Sequence, residues 1–388
     1  MSIRRPRILC ISFSDLATDS RVLRQIDVLA EVGDVTTLAY GDRPDAASDH
    51  LEIDRSLPSL PQTLSGVLNL ALRRHHAARL QAPAVRAALD LLDGLEFDIV
   101  VANEARALPL AFEVAGAPRI WCDLHEWAPG ERTHVLSWRL LVSPFMRWVC
   151  AQYLPRTHAS TTVNASIAEM YEEAFSVRPE VVRNAIAFRS DLAPSRRADG
   201  LVRLVHSGGA VPGRNIEAII DAVDLLGDGY TLDLYLVPAR QGDGYWRGLQ
   251  KRIQASPRAE LHAPVAPNEL PDALNQHDLG VFVLPPLTPN HRFMLPNKFF
   301  DFVQGRLGLV FGPSVETDRL IKGERIGVVT AGYTGEDIAR AVRALRGEDI
   351  DRFKQATDKA ARRLGSEEDI AVERRILSRL WRSAEQRG

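Results

Sequence analysis

The feature that most constrains the fold is a regular alternation along the chain between short apolar runs and longer stretches with helical periodicity. In the first half, the apolar runs fall at residues 7–13, 35–39, 98–102, 119–123 and 159–163. Helix-like stretches follow them, for example at residues 20–31 and 104–115. Strands that alternate with helices are typical of a parallel, doubly wound sheet. The pattern therefore predicts an α/β fold.

The alternation stops once and then begins again, which indicates two domains. Residues 188–200, FRSDLAPSRRADG, are polar and contain proline and glycine, as linkers do. Beyond them, strands are predicted at 201–207, 231–237, 278–284, 307–311 and 327–330, and helices at 214–226, 245–254, 268–276 and 335–345. We predict Rossmann-like domains at residues 1–187 and 201–365, with a helix at 366–388. Open sheets bind ligands at the carboxyl ends of their strands, so we expect the two domains to face a cleft.

Composition limits the classes of function. The 388 residues carry a formal net charge of −2, so the chain lacks the basic excess of a general nucleic-acid-binding protein. No apolar run reaches the roughly 18 residues that a membrane-spanning helix needs. The apolar run at residues 7–13 is too short for the core of a signal peptide, and we expect a cytoplasmic protein. Cys10, Cys122 and Cys150 lie far apart in apolar segments and are predicted to be buried thiols.

The second domain opens with a strand that runs into a glycine-containing loop and then a helix, in LVRLVHSGGAVPGRNIEAII. Ser207, Gly208 and Gly209 allow close approach of a ligand, and the helix start offers N–H groups and positive potential to an anion. A P-loop is excluded, because Arg-Asn replaces its Lys-Ser/Thr pair, and the GxGxxG fingerprint is excluded, because Ala210 replaces its second glycine. Two interpretations of Arg214 remain: an anion-binding side chain or an ordinary exposed arginine.

A second helix start has the same features, in LPNKFFDFVQGRLGLV. Phe299, Phe302 and Val303 are spaced to form a buried stripe. Lys298 lies in the first turn, where the helix dipole disfavours a cation unless an anion is near. One explanation is an i,i+3 ion pair with Asp301. The other is that Lys298 faces phosphate oxygens while Asp301 accepts hydrogen bonds from a diol such as ribose. Two such helix starts in one domain suit a nucleoside diphosphate bound without a metal ion.

Together these segments resemble the donor-binding domain of GT-B fold glycosyltransferases, and the closest group is the retaining family 4. The segments in the second half are HSGGAVPGRNIEAIIDAV, LHAPVAPNELPDALNQHDLGVFVLPP and LPNKFFDFVQGRLGLVFGPSVETDRLIKGERIGVV. The first half is similar in SDLATDSRVLRQIDVLAEVGDVTTLAYG, CDLHEW, HASTTVNASIAEMY and VVRNAI. The likeness covers most of the chain. It implies an enzyme that moves a sugar from a UDP- or GDP-linked donor to an acceptor, with retention and without a catalytic metal.

The resemblance also implies a role for each matching position. His125 would contact the donor sugar, Arg214 and Lys298 would stabilise the leaving diphosphate, and Asp301 would hold the ribose hydroxyls. The first three would be the catalytic residues. The other donor-binding residues would be Ser207, Gly208, Gly209, Leu295, Pro296, Asn297 and, in the nucleobase pocket, Val265. The acceptor-side residues would be Asp15, Arg21 and Glu126. No metal and no cofactor is expected, and the helix at 366–388 would pack on the first domain.

Several alternatives stay open. Phe293 stands where many family members carry a second glutamate, so the chain could be a catalytically silent nucleotide-sugar-binding subunit, and an epimerase of the same fold is a further alternative. The acceptor could be a small molecule, a lipid-linked molecule or a saccharide, in cell-envelope polysaccharide or specialised-metabolite biosynthesis. The protein could be a monomer or a homodimer. The apolar stretch with Trp138, Phe145, Met146 and Trp148 could dock on the inner membrane face, although packing in the core is favoured.

Overall fold

The computed structural model describes residues 4–116, 118–196, 200–238 and 244–385, so positions 197–199 of the predicted linker lie outside the described residues. The chain divides into two compact units. Unit 1 comprises Met1–Arg183, Thr288–Asn290 and Asp369–Gly388. Unit 2 comprises Asn184–Leu287 and His291–Glu368. Each unit is built on one parallel sheet.

The secondary structure of unit 1 alternates between strands and helices, as the sequence predicts. Its strands are β1 Arg7–Asp15, β2 Asp34–Tyr40, β3 Asp49–Ile53, β4 Ile99–Asn103, β5 Arg119–Asp123, β6 Ala159–Thr162 and β7 Glu180–Val181. Its α-helices are α1 Ser20–Val32, α2 Leu64–Ala71, α3 His75–Ala78, α4 Pro83–Leu91, α5 Leu108–Ala111, α6 Ser143–Tyr153 and α7 Ala165–Phe175. Short 3₁₀ turns lie at Leu16–Thr18, Ala105–Ala107, Ala128–Gly130 and Leu154–Arg156, and a π-helix at Trp138–Val142.

The secondary structure of unit 2 follows the same alternation. Its strands are β8 Val202–Ala210, β9 Tyr230–Pro238, β10 Ala259–His262, β11 Leu279–Phe282, β12 Gly308–Phe311 and β13 Gly327–Val329. Its helices are α8 Ile216–Leu226, α9 Gly244–Ala255, α10 Leu270–Asn275, α11 Pro289–Arg292, α12 Asn297–Gln304, α13 Val315–Glu324, α14 Gly335–Arg343 and α15 Gly347–Ala361. The last helix, α16 Glu367–Glu385, lies mostly in unit 1, and the first residues of α11 belong to unit 1 as well.

The strand order of each sheet reverses once, and this reversal decides where a site can form. Among the described residues, the order is β3-β2-β1-β4-β5-β6-β7 in unit 1 and β10-β9-β8-β11-β12-β13 in unit 2. Every strand pair is parallel. The reversal falls between β1 and β4 in unit 1 and between β8 and β11 in unit 2. In doubly wound sheets, ligands bind outside the carboxyl ends of the strands at this switch point.

Apolar side chains from strands and helices form the cores of both units. In unit 2, one face of the sheet packs against α8 and α14, and the other face packs against α12 and α15. The predicted stripe of Phe299, Phe302 and Val303 is confirmed, since all three side chains are fully buried. In unit 1, Ile376 and Leu377 of α16 belong to the same buried cluster as α1 and β1. The three cysteines are buried thiols, as predicted.

The sequence failed to predict three strands and gave one helix the wrong length. Strands β3, β7 and β10 were not predicted, because they are short edge strands with polar residues. The helix expected at 104–115 is wrong in length: the structure has a 3₁₀ turn and then only Leu108–Ala111. Glu104 has a positive φ of 66°, and this backbone conformation prevents a helix from starting there. Among the described residues, no helix combines the length and apolar character needed to cross a membrane.

Candidate functional site

Both helix starts that the sequence singles out lie at one edge of the sheet in unit 2. Residues 211–215 follow β8, and residues 283–296 separate β11 from α12. The two strands are neighbours, with Leu204 opposite Leu279. The site residues on these two loops are far apart in the sequence, and the reversal of strand order brings them together.

Lys298 lies directly against the backbone of Gly208. A Cβ atom at Gly208 would collide with Lys298 Nζ, so the ammonium group has room only because this residue is glycine. Gly208 also has a φ of +122°, which side chains rarely tolerate. The ammonium nitrogen lies 5.4 Å from the centre of the Phe282 ring. Among the described residues it forms no hydrogen bond and no ion pair within 4 Å, so the i,i+3 pair with Asp301 is not formed.

The charges in this site are poorly compensated by protein groups. Burial, reinforced by the positive charge of Arg214, lowers the pKa of Lys298 to about 8, although Asp301 opposes the shift. Burial raises the pKa of Asp301 to about 7, against the effect of Lys298. Burial and the two cations lower the pKa of His206 to about 3, so this histidine stays neutral. The site therefore holds an excess of positive charge that an anionic ligand would offset.

Arg214 lies in the turn before α8 rather than in its first helical turn, as the helix begins at Ile216. Its side chain is exposed, and its backbone N–H donates to the carbonyl of Val211 at 3.2 Å. Asn215 follows in the left-handed conformation, and its amide donates to the carbonyl oxygens of Val283 and Tyr333 at 3.1 and 2.8 Å. These bonds fix the loop after β8 to the loop after β11. They also prevent the Asn215 side chain from capping α8, whose first N–H groups stay available.

Two further polar features of the site lack protein partners. The hydroxyl of Ser207 is buried and has no hydrogen-bond partner among the described residues. Helix α12 follows Pro296, which provides no side-chain cap, so its first N–H groups face outward from the helix start. A buried hydroxyl without a partner costs free energy, and in native structures it marks a site where a partner is expected. Ser207, Lys298 and the start of α12 are thus three hydrogen-bond donors without acceptors among the described residues.

The other predicted donor-binding residues lie in three loops and strands of unit 2. Gly209 follows Gly208 in β8, and the nearest atom to a Cβ there would be Val211 Cγ2 at 3.5 Å. The loop before α12 contains buried Leu295, half-buried Pro296 and exposed Asn297. Val265 lies in the loop after β10, which β9 separates from β8. Phe293 is half-buried beneath the guanidinium of Arg292, 5.4 Å from the ring centre, and supplies no carboxylate.

His125 lies at the carboxyl end of β5 in unit 1, with a positive φ of 56°. Its Nε2 atom is 3.3 Å from Asn103 Oδ1 and 3.5 Å from Asp123 Oδ2. Burial would raise the pKa of Asp123, but Arg21, His125 and Thr161 together lower it to about 2. The imidazole is therefore held by an amide and an ionised carboxylate, while its edge remains partly exposed.

The three predicted acceptor-side residues have different environments. Arg21 is buried, and its guanidinium forms a bidentate pair with Asp123 at 2.8 Å for both bonds. It also donates to the carbonyl of Val182, so its described partners are protein groups, and the acceptor contact stays a prediction. Asp15 ends β1, accepts from the N–H of Ala17 and pairs with Arg55 at 3.2 Å. Glu126 is exposed, and its carbonyl accepts from Tyr171.

Sequence reasoning missed the residues that support the site from the interior. His206 precedes the predicted Ser207, and the charge of Lys298 contributes to its low pKa. Its side chain is buried in the core and donates a hydrogen bond to the carbonyl of Val281. Asn103 and Asp123 hold His125 from two different strands. The available signal is the same in each case: a single polar residue at or near the end of an apolar strand.

One group in unit 2 has the residue types of a metal site. Ligand atoms of Asp233, Glu260 and His262 lie within 4.8 Å of one another, and no other such group occurs in the part of the chain that the structure describes. The Asp233 carboxylate already accepts from His262 and His277 at 2.5 and 2.9 Å. It is thus satisfied by protein donors, and the pKa of Asp233 is lowered by these histidines against the effect of burial.

Comparison with solved structures identifies many chains with the same architecture. Sucrose-phosphate synthase from Thermosynechococcus elongatus has a TM-score of 0.68 and 11% identity, with 99% of this chain and 100% of that chain covered. Anabaena Alr3699/HepE, in complex with UDP and glucose, has a TM-score of 0.65 and 13% identity over 98% and 100% of the two chains. The trehalose-6-phosphate protein from E. coli, bound with UDP-2-fluoro glucose, has a TM-score of 0.64 and 12% identity over 96% and 98%.

No family model matches this chain, and no curated protein matches it. At identities of 11 to 13%, the structural likeness shows the fold and not the activity. The fold is that of the GT-B type, with two parallel α/β domains, as the sequence predicts.

Proposed function

We propose that this chain is a glycosyltransferase that binds a nucleoside-diphosphate sugar in unit 2. The observation that carries the proposal is the half-buried Lys298, whose ammonium lies against Gly208 and forms no ion pair among the described residues. Arg214 is close enough to lower the pKa of Lys298, and Ser207, the residue before Gly208, has a buried hydroxyl without a partner among the described residues. A diphosphate supplies the negative charge and the acceptor oxygens that these groups lack. Solved structures of similar architecture that hold UDP or UDP-2-fluoro glucose make UDP the first nucleotide to test, with GDP second.

The proposed donor site assigns one role to each group. Lys298 and Arg214 stabilise the diphosphate, together with the N–H groups at the starts of α8 and α12. Asp301, one helical turn after Lys298, accepts hydrogen bonds from the ribose hydroxyls. Burial raises the pKa of Asp301 to about 7, against the effect of Lys298, and hydrogen bonds donated by ribose hydroxyls would favour its ionised form. His125 remains the proposed catalytic residue of unit 1, oriented by Asn103 and Asp123.

The proposed reaction transfers the sugar with retention of configuration. The bond between the anomeric carbon and the diphosphate oxygen breaks, a bond to the acceptor oxygen forms, and the leaving diphosphate takes the acceptor proton. Negative charge develops on the leaving oxygen, and Lys298 and Arg214 are placed to stabilise it without a metal ion. This route needs no glutamate at position 293, which is why Phe293 is compatible with transfer.

Nucleotide binding is the first test of this proposal. UDP, GDP, ADP and TDP are titrated into the full chain in the presence of EDTA, and the melting temperature is recorded. We expect one nucleotide to raise it in the wild type, and a much smaller rise in Lys298→Ala and Arg214→Ala. Lys251→Ala, which removes an exposed lysine of α9, is the matched control and should behave as wild type. If no nucleotide stabilises the wild type, the proposal fails.

A nucleotide-sugar-binding subunit without transferase activity is the second candidate, and Phe293 is the observation that favours it. Both candidates predict nucleotide binding, so turnover must separate them. The released nucleoside diphosphate is measured with a set of nucleotide sugars, with and without candidate acceptors. Release that depends on the acceptor supports transfer. Tight binding without any release in all conditions supports the silent subunit.

A further inference from the structure

Unit 1 contains a pocket of about 660 Å³ at the carboxyl edge of its sheet, within the range of small-molecule sites. Its polar wall is formed by residues at strand ends and in the loops that follow: Tyr40 ends β2, and Arg106 lies after β4. Its apolar wall is formed by α2 and by residues 135–142, with Val67 and Leu141 among the lining side chains. The pocket therefore has two chemically different sides.

The polar side contains a carboxyl group without a partner. Glu131 lines the pocket and forms no hydrogen bond or ion pair within the part of the chain that the structure describes. Burial, reinforced by the negative charge of Glu104, raises the pKa of Glu131 to about 8, while Arg106 and Arg132 oppose the shift. Near neutral pH the group is mostly protonated and can donate a hydrogen bond to a ligand oxygen.

The other polar groups of the pocket give it a positive character. Arg106 pairs with Glu104, yet its buried Nε atom has no partner among the described residues. Arg132 has no carboxylate partner there and lies over the ring of Trp138, 5.6 Å from its centre. The indole N–H of Trp138 is also buried without a partner. These donors and the protonated Glu131 favour a ligand group rich in oxygen, such as a hydroxyl or a phosphate.

Exposed leucines lie on the same two segments that supply the apolar lining. Leu64 and Leu68 on α2 and Leu72 directly after it follow one another at four-residue spacing, with exposed fractions of 95%, 57% and 52%. Leu136 and Leu140 on the neighbouring segment are 58% and 51% exposed. Arg73 joins the two segments by donating to the carbonyl of Leu140 at 2.7 Å. An exposed apolar surface of this kind marks a binding site more often than a free surface.

We propose that this pocket binds an amphiphile with a single hydrocarbon chain and a hydroxyl or phosphate head group. The head lies against Glu131 and Arg106, and the chain passes over Val67 and Leu141 to the exposed leucines. The proposal rests on the proposed function in one respect, since the amphiphile would be the sugar acceptor. A small polar saccharide would satisfy the polar wall but leave the apolar wall in water, which is why the amphiphile fits better.

The test uses dodecyl phosphate below its critical micelle concentration as the probe, titrated calorimetrically into the full chain. We expect saturable binding at one site. Glycerol 3-phosphate, which keeps the head group only, and dodecyltrimethylammonium, which keeps the chain but reverses the charge, should each bind at least about tenfold more weakly, or about 1.4 kcal/mol. Equal binding of the head group alone, or of the cationic probe, would overturn the proposal.

Variants locate the binding in the pocket. Val67→Glu and Val135→Glu place a charge on the apolar wall at positions that are 40% and 41% exposed, so both should fold. Each should weaken dodecyl phosphate binding at least about tenfold, because the chain then meets a carboxylate. Val315→Glu, at a 44% exposed valine of unit 2, is the matched control and should bind as wild type. Equal affinity in all three variants would exclude this pocket.

Two further measurements distinguish binding in the pocket from binding to a membrane surface and from binding at the proposed nucleotide site. Cosedimentation with phosphatidylglycerol vesicles tests for a membrane surface: association that survives Val67→Glu, without binding of the free probe, would overturn the pocket. UDP is titrated into the same variants. Since the proposed nucleotide site lies in unit 2, its affinity should be unchanged by Val67→Glu. In the pocket variants we expect dodecyl phosphate binding to be lost and UDP binding to be intact. A wild-type protein that binds dodecyl phosphate but no nucleotide would contradict the proposed function and leave the pocket proposal standing.

Discussion

Lys298 keeps its charge in surroundings that disfavour it. Burial and Arg214 both lower the pKa of its ammonium group, and the one nearby carboxyl, Asp301, is itself shifted toward its neutral form. In the free protein the positive charge of Lys298 is therefore electrostatically unfavourable, and a bound diphosphate would stabilise it. Perturbed groups of this kind cluster at functional sites.

Nucleotide affinity is expected to fall as the pH rises through about 8, where free Lys298 loses its proton. A bound diphosphate raises the pKa of this lysine, so binding is coupled to proton uptake above that pH and is strongest below it. Calorimetric titrations between about pH 7 and about pH 9 measure the slope. Lys298→Arg keeps its charge throughout this range, so its affinity should be nearly independent of pH. An equal slope in both proteins would assign the titration to another group.

Gly208 and Gly209 offer a matched pair of substitutions. In Gly208→Ala the new methyl group would displace Lys298 Nζ, and a φ of +122° adds strain on the order of 1–3 kcal/mol. We expect lower stability and a large loss of nucleotide affinity. In Gly209→Ala the nearest atom is 3.5 Å away, so the free energy of unfolding should change by less than about 0.5 kcal/mol. Denaturant unfolding and nucleotide titration of both variants provide the check, and equal effects would contradict the assignment.

At the scale of single elements, the end of β5 forms the surroundings of Arg21, for which the sequence predicts an acceptor-side role. Asp123 is almost fully buried and accepts from Arg21 and Thr161 while facing His125. The sequence places Arg21 in a motif at the start of α1, where a cleft-facing side chain is a reasonable expectation. Only the three-dimensional structure shows that Asp123, at the end of β5, forms an ion pair with Arg21. The ion pair thereby fixes α1 to the strand that carries His125.

Breaking this pair is expected to be costly. Arg21→Met leaves Asp123 buried without its cation, and the free energy of unfolding should fall by about 3–5 kcal/mol. Arg5→Met, which removes a half-exposed pair with Asp34, should cost less than about 1 kcal/mol. Chemical denaturation of both variants measures the difference. A small loss in Arg21→Met would favour the predicted acceptor role of Arg21.

Helix α12 shows which parts of an element the sequence predicts well. The spacing of Phe299, Phe302 and Val303 correctly predicts the buried face, because that face depends only on helical periodicity. The partner of Lys298 could not be predicted in the same way. Its neighbour Gly208 lies on β8, and among the described residues three strands and four helices separate β8 from α12 in the sequence. The contact exists because β8 and β11 are adjacent in the sheet.

At the scale of the whole molecule, the C-terminal helix α16 contributes to the core of unit 1 although unit 2 lies before it in sequence. Ile376, Leu377 and Leu380 are buried with residues of β1 and α1. Asp369 also accepts from the backbone N–H and the guanidinium of Arg183 at 2.7 and 3.1 Å. Unit 1 is therefore completed only when the last segment of the chain has docked.

Truncation of Leu377 tests this dependence. Leu377→Ala removes a fully buried side chain and should lower the free energy of unfolding of unit 1 by about 2–5 kcal/mol. The nucleotide-induced stabilisation should persist, since the proposed donor residues lie in unit 2. Leu225→Ala, at a 48% exposed leucine of α8, is the control and should have little effect. Equal destabilisation by both variants would contradict the docking role of α16.

The sequence by itself determined the two parallel sheets, the buried face of α12 and the two glycine- and cation-containing helix starts. These properties depend on local periodicity and on residues close together in the chain. The tertiary structure decided which loops meet, which charges are buried and which side chains lack partners. The order of strands in a sheet follows from the paths of the crossover helices, and burial depends on elements distant in sequence. Lys298 was therefore recognisable as unusual from the sequence, but its position against Gly208 was not.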